Sequence, residues 1–88
     1  MERNIEILKQ ILSDLKYSDS YSDILISEII RRFENSGLDE ITSHLVYNAL
    51  AYEEGKETAR KIANYYEQIL NTGNYETDLE REFRNRYK

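Results

Sequence analysis

The sequence predicts an all-α protein: an antiparallel bundle of four helices with a fifth, weaker C-terminal helix, in one domain spanning residues 1–88. The chain has 88 residues, which is enough for a single small core. It has no proline and only three glycines, so few breaks and long helices are expected. Apolar residues recur at helical spacing, and the short connections between the stretches favour antiparallel packing.

Four short segments separate the predicted helices. Gly37, Gly55 and Gly73 each follow an apolar-periodic stretch, where a left-handed residue commonly ends a helix. The polar cluster Ser18-Asp19-Ser20 supplies N-capping side chains for the second helix.

The first two helices have broad apolar faces. The first is expected to turn inward Ile5, Ile7, Leu8, Ile11, Leu12 and Leu15. The second is expected to start near Ser20 or Ser22 and to turn inward Tyr21, Ile24, Leu25, Ile26, Ile29, Ile30 and Phe33. Its β-branched residues lower helix propensity slightly, but the run is longer than a usual strand.

The third helix is expected to start near Asp39, and the fourth to run from about Lys56 to Leu70. The inward residues of the third are Ile41, Leu45, Val46, Ala49 and Leu50, with Tyr52 as a further candidate. Those of the fourth are Ala59, Ile62, Ala63, Tyr66, Ile69 and Leu70. Because helix neighbours point about 100° apart, an inward Tyr66 predicts an exposed Tyr65.

The fifth helix begins with a capping-box pattern, Thr77-Asp78-Leu79-Glu80. Glu80 with Arg84, and Glu82 with Arg86, are spaced for ion pairs at i, i+4. Its apolar side consists of Tyr75, Leu79, Phe83 and Tyr87. Large apolar residues at helical spacing are stabilised by burial. We therefore favour a helix that folds back onto the bundle, rather than a tail that becomes ordered on a partner.

The chain carries a net charge of −5, and the excess acid lies in the second and third helices. Segment 38–55 contains four acidic residues and neither lysine nor arginine. Such a surface can attract a basic partner, although it can also serve only to keep the protein soluble. Direct nucleic-acid binding is disfavoured, because a recognition helix starting at Asp39 would present acid to phosphates.

Several kinds of chemistry are disfavoured by the composition. Cysteine is absent, which excludes disulfides and thiolate metal sites. The single histidine, His44, is spaced to share a metal with Glu40, but two ligands do not make a site. No nucleophile elbow or glycine-rich phosphate loop occurs, so we expect no enzyme activity and no cofactor. The apolar runs are too short for a membrane span.

Eight tyrosines point to protein recognition, because tyrosine offers contact area, a polar tip and little rotamer entropy. For any one tyrosine, a place at the half-buried margin of the bundle is the alternative. The predicted partner-binding residues combine acid with tyrosine: Asp23, Glu34, Asp39, Glu40, Tyr47, Tyr52, Glu53 and Glu54.

The profile resembles the small immunity proteins that protect bacteria from bacteriocins, colicins or contact-dependent toxins, several of which are acidic, cysteine-poor helical bundles of this length. The stretch Tyr21-Ser22-Asp23-Ile24-Leu25 resembles pediocin-type immunity proteins. Tyr65-Tyr66 resembles the tyrosine pair of nuclease-colicin immunity proteins, but Glu67 stands where that family has proline. The resemblance implies a stoichiometric inhibitor that covers a toxin's active or binding surface.

This interpretation predicts a cytoplasmic bacterial protein, a monomer or weak dimer. Its partner is a basic protein such as a toxin, of which a nuclease is one kind. A phage-encoded inhibitor of a host defence nuclease, of the anti-CRISPR kind, has the same physical requirements. A structural or adaptor bundle that self-associates through Leu79, Phe83 and Tyr87 is the third hypothesis.

Overall fold

The computed structural model describes residues 2–75 and 78–86, and this part of the chain is helical without a strand. The helices are α1 (Glu2–Asp14), α2 (Asp19–Glu34), α3 (Ser43–Glu54), α4 (Lys56–Thr72) and α5 (Asp78–Arg86). The prediction of an all-α protein is confirmed for the described residues, which form five helices. Thr77, the N-cap of the predicted capping box, lies outside the described residues.

Helices α1 to α4 surround one core. α1 contacts α2 and α4, and α3 also contacts α2 and α4, so each of the four helices touches two others. Leu8, Ile11, Leu25, Ile29 and Ile62 are at most 1% exposed. The apolar stripes of the sequence therefore form a common interior, and burial of such side chains drives folding.

Gly55 and Gly73 shape the two ends of α4. Gly55 alone joins α3 to α4, at φ 87° and ψ 153°, a conformation that residues with a Cβ rarely adopt. Its N–H donates to the carbonyl of Ala51, and its own carbonyl accepts from Ala59. Gly73 ends α4 in the left-handed conformation, at φ 82° and ψ 0°.

The expected start of the third helix at Asp39 is wrong. α3 begins at Ser43, because the Thr42 hydroxyl caps it by accepting a hydrogen bond from the Leu45 N–H. Asp39 and Glu40 lie in the exposed loop before the helix. Ile41 is nevertheless buried in the core from this non-helical position.

Several predicted orientations are also wrong. Tyr21, Ile24, Tyr52 and Leu70 were expected inside but are 36%, 62%, 90% and 39% exposed. Tyr65 was expected outside but is 2% exposed, because the ring of Tyr75 stacks on it. An amphipathic pattern gives the centre of a helix's buried face, whereas residues at its margin depend on how far the neighbouring segments extend.

The C-terminal segment returns to the bundle at Tyr75, as the fold-back hypothesis requires of that residue. Its ring centroid lies 4.6 Å from that of Tyr65, and its hydroxyl donates to Asp14 across 2.6 Å. Beyond it, Phe83 of α5 is 64% exposed. Glu82 and Arg86 lie 3.6 Å apart, as their spacing predicted.

Candidate functional site

The carboxylate of Glu54 accepts hydrogen bonds from two tyrosines. The hydroxyl of Tyr17 donates to its Oε1 atom across 2.6 Å, and the hydroxyl of Tyr21 donates to Oε2. The two tyrosine rings stack, with centroids 5.8 Å apart. We call Tyr17, Tyr21, Glu53 and Glu54 the Glu54 cluster.

A tight turn between α1 and α2 brings the two tyrosines together. Lys16 has a φ of 71° and follows the end of α1 in the left-handed conformation. The N–H of Lys16 donates to the carbonyl of Ser13, and that of Tyr17 to the carbonyl of Leu12, which is the Schellman pattern. Ser18 then caps α2 by accepting from the N–H of Tyr21.

The acidic side chains perturb both tyrosines. Burial, followed by the hydrogen bond to Glu54 and the charge of that residue, raises the pKa of Tyr17 to about 12. For Tyr21 the hydrogen bond to Glu54 is the main reason that the pKa is raised. Burial and the charges of Glu54 and Glu53 contribute further. Both phenols are therefore neutral donors at physiological pH, and Glu53 lies close enough to Tyr21 to affect it.

Tyr52 beside the cluster, and Glu53 and Tyr21 within it, are exposed to solvent. Tyr52, in the last turn of α3, is 90% exposed, and Glu53 next to it is also exposed. Tyr21 itself is 36% exposed although its hydroxyl is engaged. The end of α3 thus presents aromatic surface and negative charge on a frame fixed by hydrogen bonds.

The structure divides the predicted partner-binding residues into two acidic groups and one outlier. Tyr52, Glu53 and Glu54 end α3, and the exposed Asp23 lies two residues after Tyr21 in α2. Glu34, Asp39 and Glu40 are exposed at the other end, around the connection that precedes α3. A helix of 12 residues is about 18 Å long, so the two groups form separate surfaces.

The outlier is Tyr47, which is half-buried on α3. It lines a groove of about 730 Å³ between α3 and α4, together with His44, Arg60, Lys61 and Glu67. Cations and carboxylates are mixed there, so Tyr47 does not belong to an acidic surface.

Sequence reasoning did not find the partnership of Tyr17 and Tyr21 with Glu54. One signal was available: a helix that begins after Ser18 places Tyr21 in its first turn, close to Tyr17. The distance to Glu54, 33 positions along the chain from Tyr21, depends on how α2 packs against α3. No local pattern encodes that distance.

The described residues offer no candidate metal centre. No group of three or more His, Asp or Glu side chains suited to a metal ion occurs among residues 2–75 and 78–86. His44 is exposed on α3, and Glu40 lies in the loop outside that helix. Within the same ranges, none of the helices combines the length and the apolar character that a membrane span requires.

Comparison of the chain with protein-family models, with curated proteins and with solved structures finds no match. The candidate site therefore rests on its own geometry.

Proposed function

We propose that this chain is a non-enzymatic inhibitor that binds a basic protein through the Glu54 cluster and the neighbouring Tyr52. The favoured form is an immunity protein that neutralises a cognate bacterial toxin in the cytoplasm. The observation that carries the proposal is the 90% exposure of Tyr52 beside Glu53, on a helix end braced by two tyrosine–carboxylate hydrogen bonds.

Conformational entropy and charge both favour binding at this end of α3. An exposed tyrosine on a rigid element loses little conformational freedom when it enters a partner's pocket, which is why tyrosine is common among binding hot spots. The carboxylates beside it attract a basic surface and accelerate association at low salt. A toxin that acts on nucleic acid carries such a surface, since it must bind phosphates.

Antiparallel packing of the four helices is part of the same proposal, and contacts at both ends of α3 support it. The start of α2 meets the end of α3 through Tyr21 and Glu54. The C-terminal half of α4 meets the start of α3 through the hydrogen bond from Tyr66 to Ile41. In this arrangement the C-terminal end of α3 becomes the binding surface while the middle of the helix stays in the core.

The test is capture of partners with the tagged full chain, followed by an activity assay of the captured protein. We expect one basic partner in stoichiometric amount, inhibited by the chain and released by high salt. Glu53→Lys should weaken the complex. Glu67→Lys makes an equal charge change at an exposed position of α4 and should leave the complex unchanged. Equal behaviour of these two variants would contradict docking at this end of α3.

The captured target also separates the favoured form from a phage-encoded inhibitor. A secreted or contact-delivered toxin supports immunity, and a host defence nuclease supports the phage alternative. Both outcomes keep the inhibitor mechanism and change only its biological setting.

Self-association is a second candidate, favoured by the 64% exposure of Phe83 on α5. Sedimentation of the full chain would then show a dimer resistant to salt, and Phe83→Ser would convert it to a monomer. A chain that sediments as a monomer at high concentration would eliminate this candidate.

A further inference from the structure

We propose that Ile24 is the aliphatic anchor of the docking surface, and that the partner offers an apolar pocket bordered by lysine or arginine. This inference rests on the proposed function and adds the chemistry of the partner's binding site.

Ile24 has no evident role in folding. It is 62% exposed, although the next two residues, Leu25 and Ile26, are only 1% and 4% exposed in the core. A β-branched residue at an exposed helix position slightly reduces helix propensity compared with alanine. The side chain therefore contributes little to stability, and its apolar surface is available for binding.

The exposed surface of Ile24 continues into the Glu54 cluster. Tyr21 precedes Ile24 by three residues, so the two side chains lie on the same side of α2, one turn apart. The Tyr21 ring is itself partly exposed, and its hydroxyl reaches the Glu54 carboxylate. An aliphatic side chain, an aromatic ring and a carboxylate thus follow one another from α2 to the end of α3.

The charges around Ile24 favour a basic partner. Asp19 and Asp23 are exposed on the N-terminal half of α2, and Glu53 on the end of α3. The two arginines of this helix lie in its C-terminal half, where both pair with Glu28: Arg31 at 2.5 Å and Arg32 at 3.4 Å. The N-terminal half of α2 therefore carries two acidic side chains and no lysine or arginine beside its apolar centre.

Such a surface binds through two separable contributions. Attraction between exposed charges weakens as salt rises, because the Debye length shortens. Burial of the Ile24 side chain does not depend on charge, so it sustains the complex when the salt concentration is high. The fold-change in affinity caused by removing the aliphatic side chain should therefore be nearly independent of salt, whereas the effect of Glu53→Lys should shrink as salt rises.

The probe is a synthetic amphipathic helical peptide of leucine and lysine, titrated into the ¹⁵N-labelled full chain and followed by NMR shifts. Ile24→Ala should lower the affinity about tenfold, since several methyl and methylene groups leave the contact. Leu38→Ala is the matched control, because Leu38 is 47% exposed and stands next to Asp39 and Glu40. We expect it to change the affinity by less than about twofold.

Each outcome decides a separate point. An unchanged affinity in Ile24→Ala, or a loss in Leu38→Ala instead, overturns the anchor. A loss in Ile24→Ala with no effect of Glu53→Lys supports the anchor and contradicts the acidic docking of the proposed function. If Ile24→Ala and Glu53→Lys both lower the affinity, the anchor and the acidic docking are both supported. If neither variant lowers the affinity, both are contradicted. If the chain alone forms a dimer that Ile24→Ala dissociates, the surface belongs to a second copy and the basic partner is overturned.

Discussion

The hydroxyl of Tyr66 donates a hydrogen bond to the backbone carbonyl oxygen of Ile41 across 2.6 Å. Both residues are buried, and the same hydroxyl accepts a hydrogen bond from the Asn4 side chain at 2.7 Å. One phenol thus joins α1, α4 and the segment that leads into α3. Because the carbonyl of Ile41 lies outside a helix, it has no intrahelical donor, and Tyr66 supplies one.

Tyr66→Phe should lower the free energy of unfolding by about 1–3 kcal/mol, because the Ile41 carbonyl and the Asn4 amide both lose a buried partner. The measurement is urea-induced unfolding, with Tyr52→Phe as control. Tyr52 is 90% exposed, so its hydroxyl should contribute almost nothing. A loss in Tyr66→Phe no larger than that in the control would contradict the assigned role.

Lys16→Gly should raise the free energy of unfolding by roughly 1 kcal/mol. The residue adopts a φ of 71°, which a side chain disfavours and glycine accepts without a steric penalty. Lys9→Gly provides the opposite control: Lys9 is exposed within α1, where glycine should cost about 1 kcal/mol. Destabilisation by both substitutions would show that the left-handed turn is not strained by lysine.

Alkaline pH should destabilise the fold through Tyr17. Its pKa is about 12 in the folded chain against an ordinary value of 10.0, so the folded state holds the phenolic proton more tightly than the unfolded state. The resulting stability is complete below pH 10 and is lost as the pH rises to about 12. The melting temperature should fall over this range, and less steeply in Tyr17→Phe. If the melting temperatures of the original chain and of Tyr17→Phe fall in parallel with pH, Tyr17 is not the cause of the alkaline destabilisation.

Glu54→Gln should destabilise the chain by roughly 1 kcal/mol, since a charged acceptor of two phenolic hydrogen bonds becomes a neutral one. It should also lower the pKa of Tyr17 and Tyr21, because the negative charge and the strong acceptor are lost. Thermal unfolding and tyrosine absorbance titration measure the two effects. Glu53→Gln is the neighbouring control, and an equal effect there would argue against the specific contact.

The sequence predicted the helices well because helical periodicity is a local property. Ser18 as a cap, and glycine at positions 55 and 73, fix where helices begin and end. The start of α3 was misplaced because Ile41 extends the apolar pattern toward Asp39, whereas Thr42 caps the helix. The carbonyl of Ile41 instead accepts a hydrogen bond from Tyr66, a contact that depends on tertiary packing.

The candidate site was predicted only in part. Tyr52, Glu53 and Glu54 could be proposed from composition, since acid beside tyrosine is visible in the sequence. The sequence could not predict that Tyr17 and Tyr21 group around Glu54. It also could not predict that this group lies apart from Asp39 and Glu40. Both depend on which helix ends meet, and residues distant in sequence meet only when the helices pack.

The sequence by itself determined an all-α chain, its excess of acid and the centres of its buried faces, because each follows from residue type and helical spacing. Only the tertiary structure decided which margin residues are exposed: Ile24 outward, and Tyr65 inward beneath Tyr75. The physical reason is that a side chain at the edge of an apolar stripe is buried or exposed according to the neighbouring segment. The position of that segment is set by contacts made far along the chain.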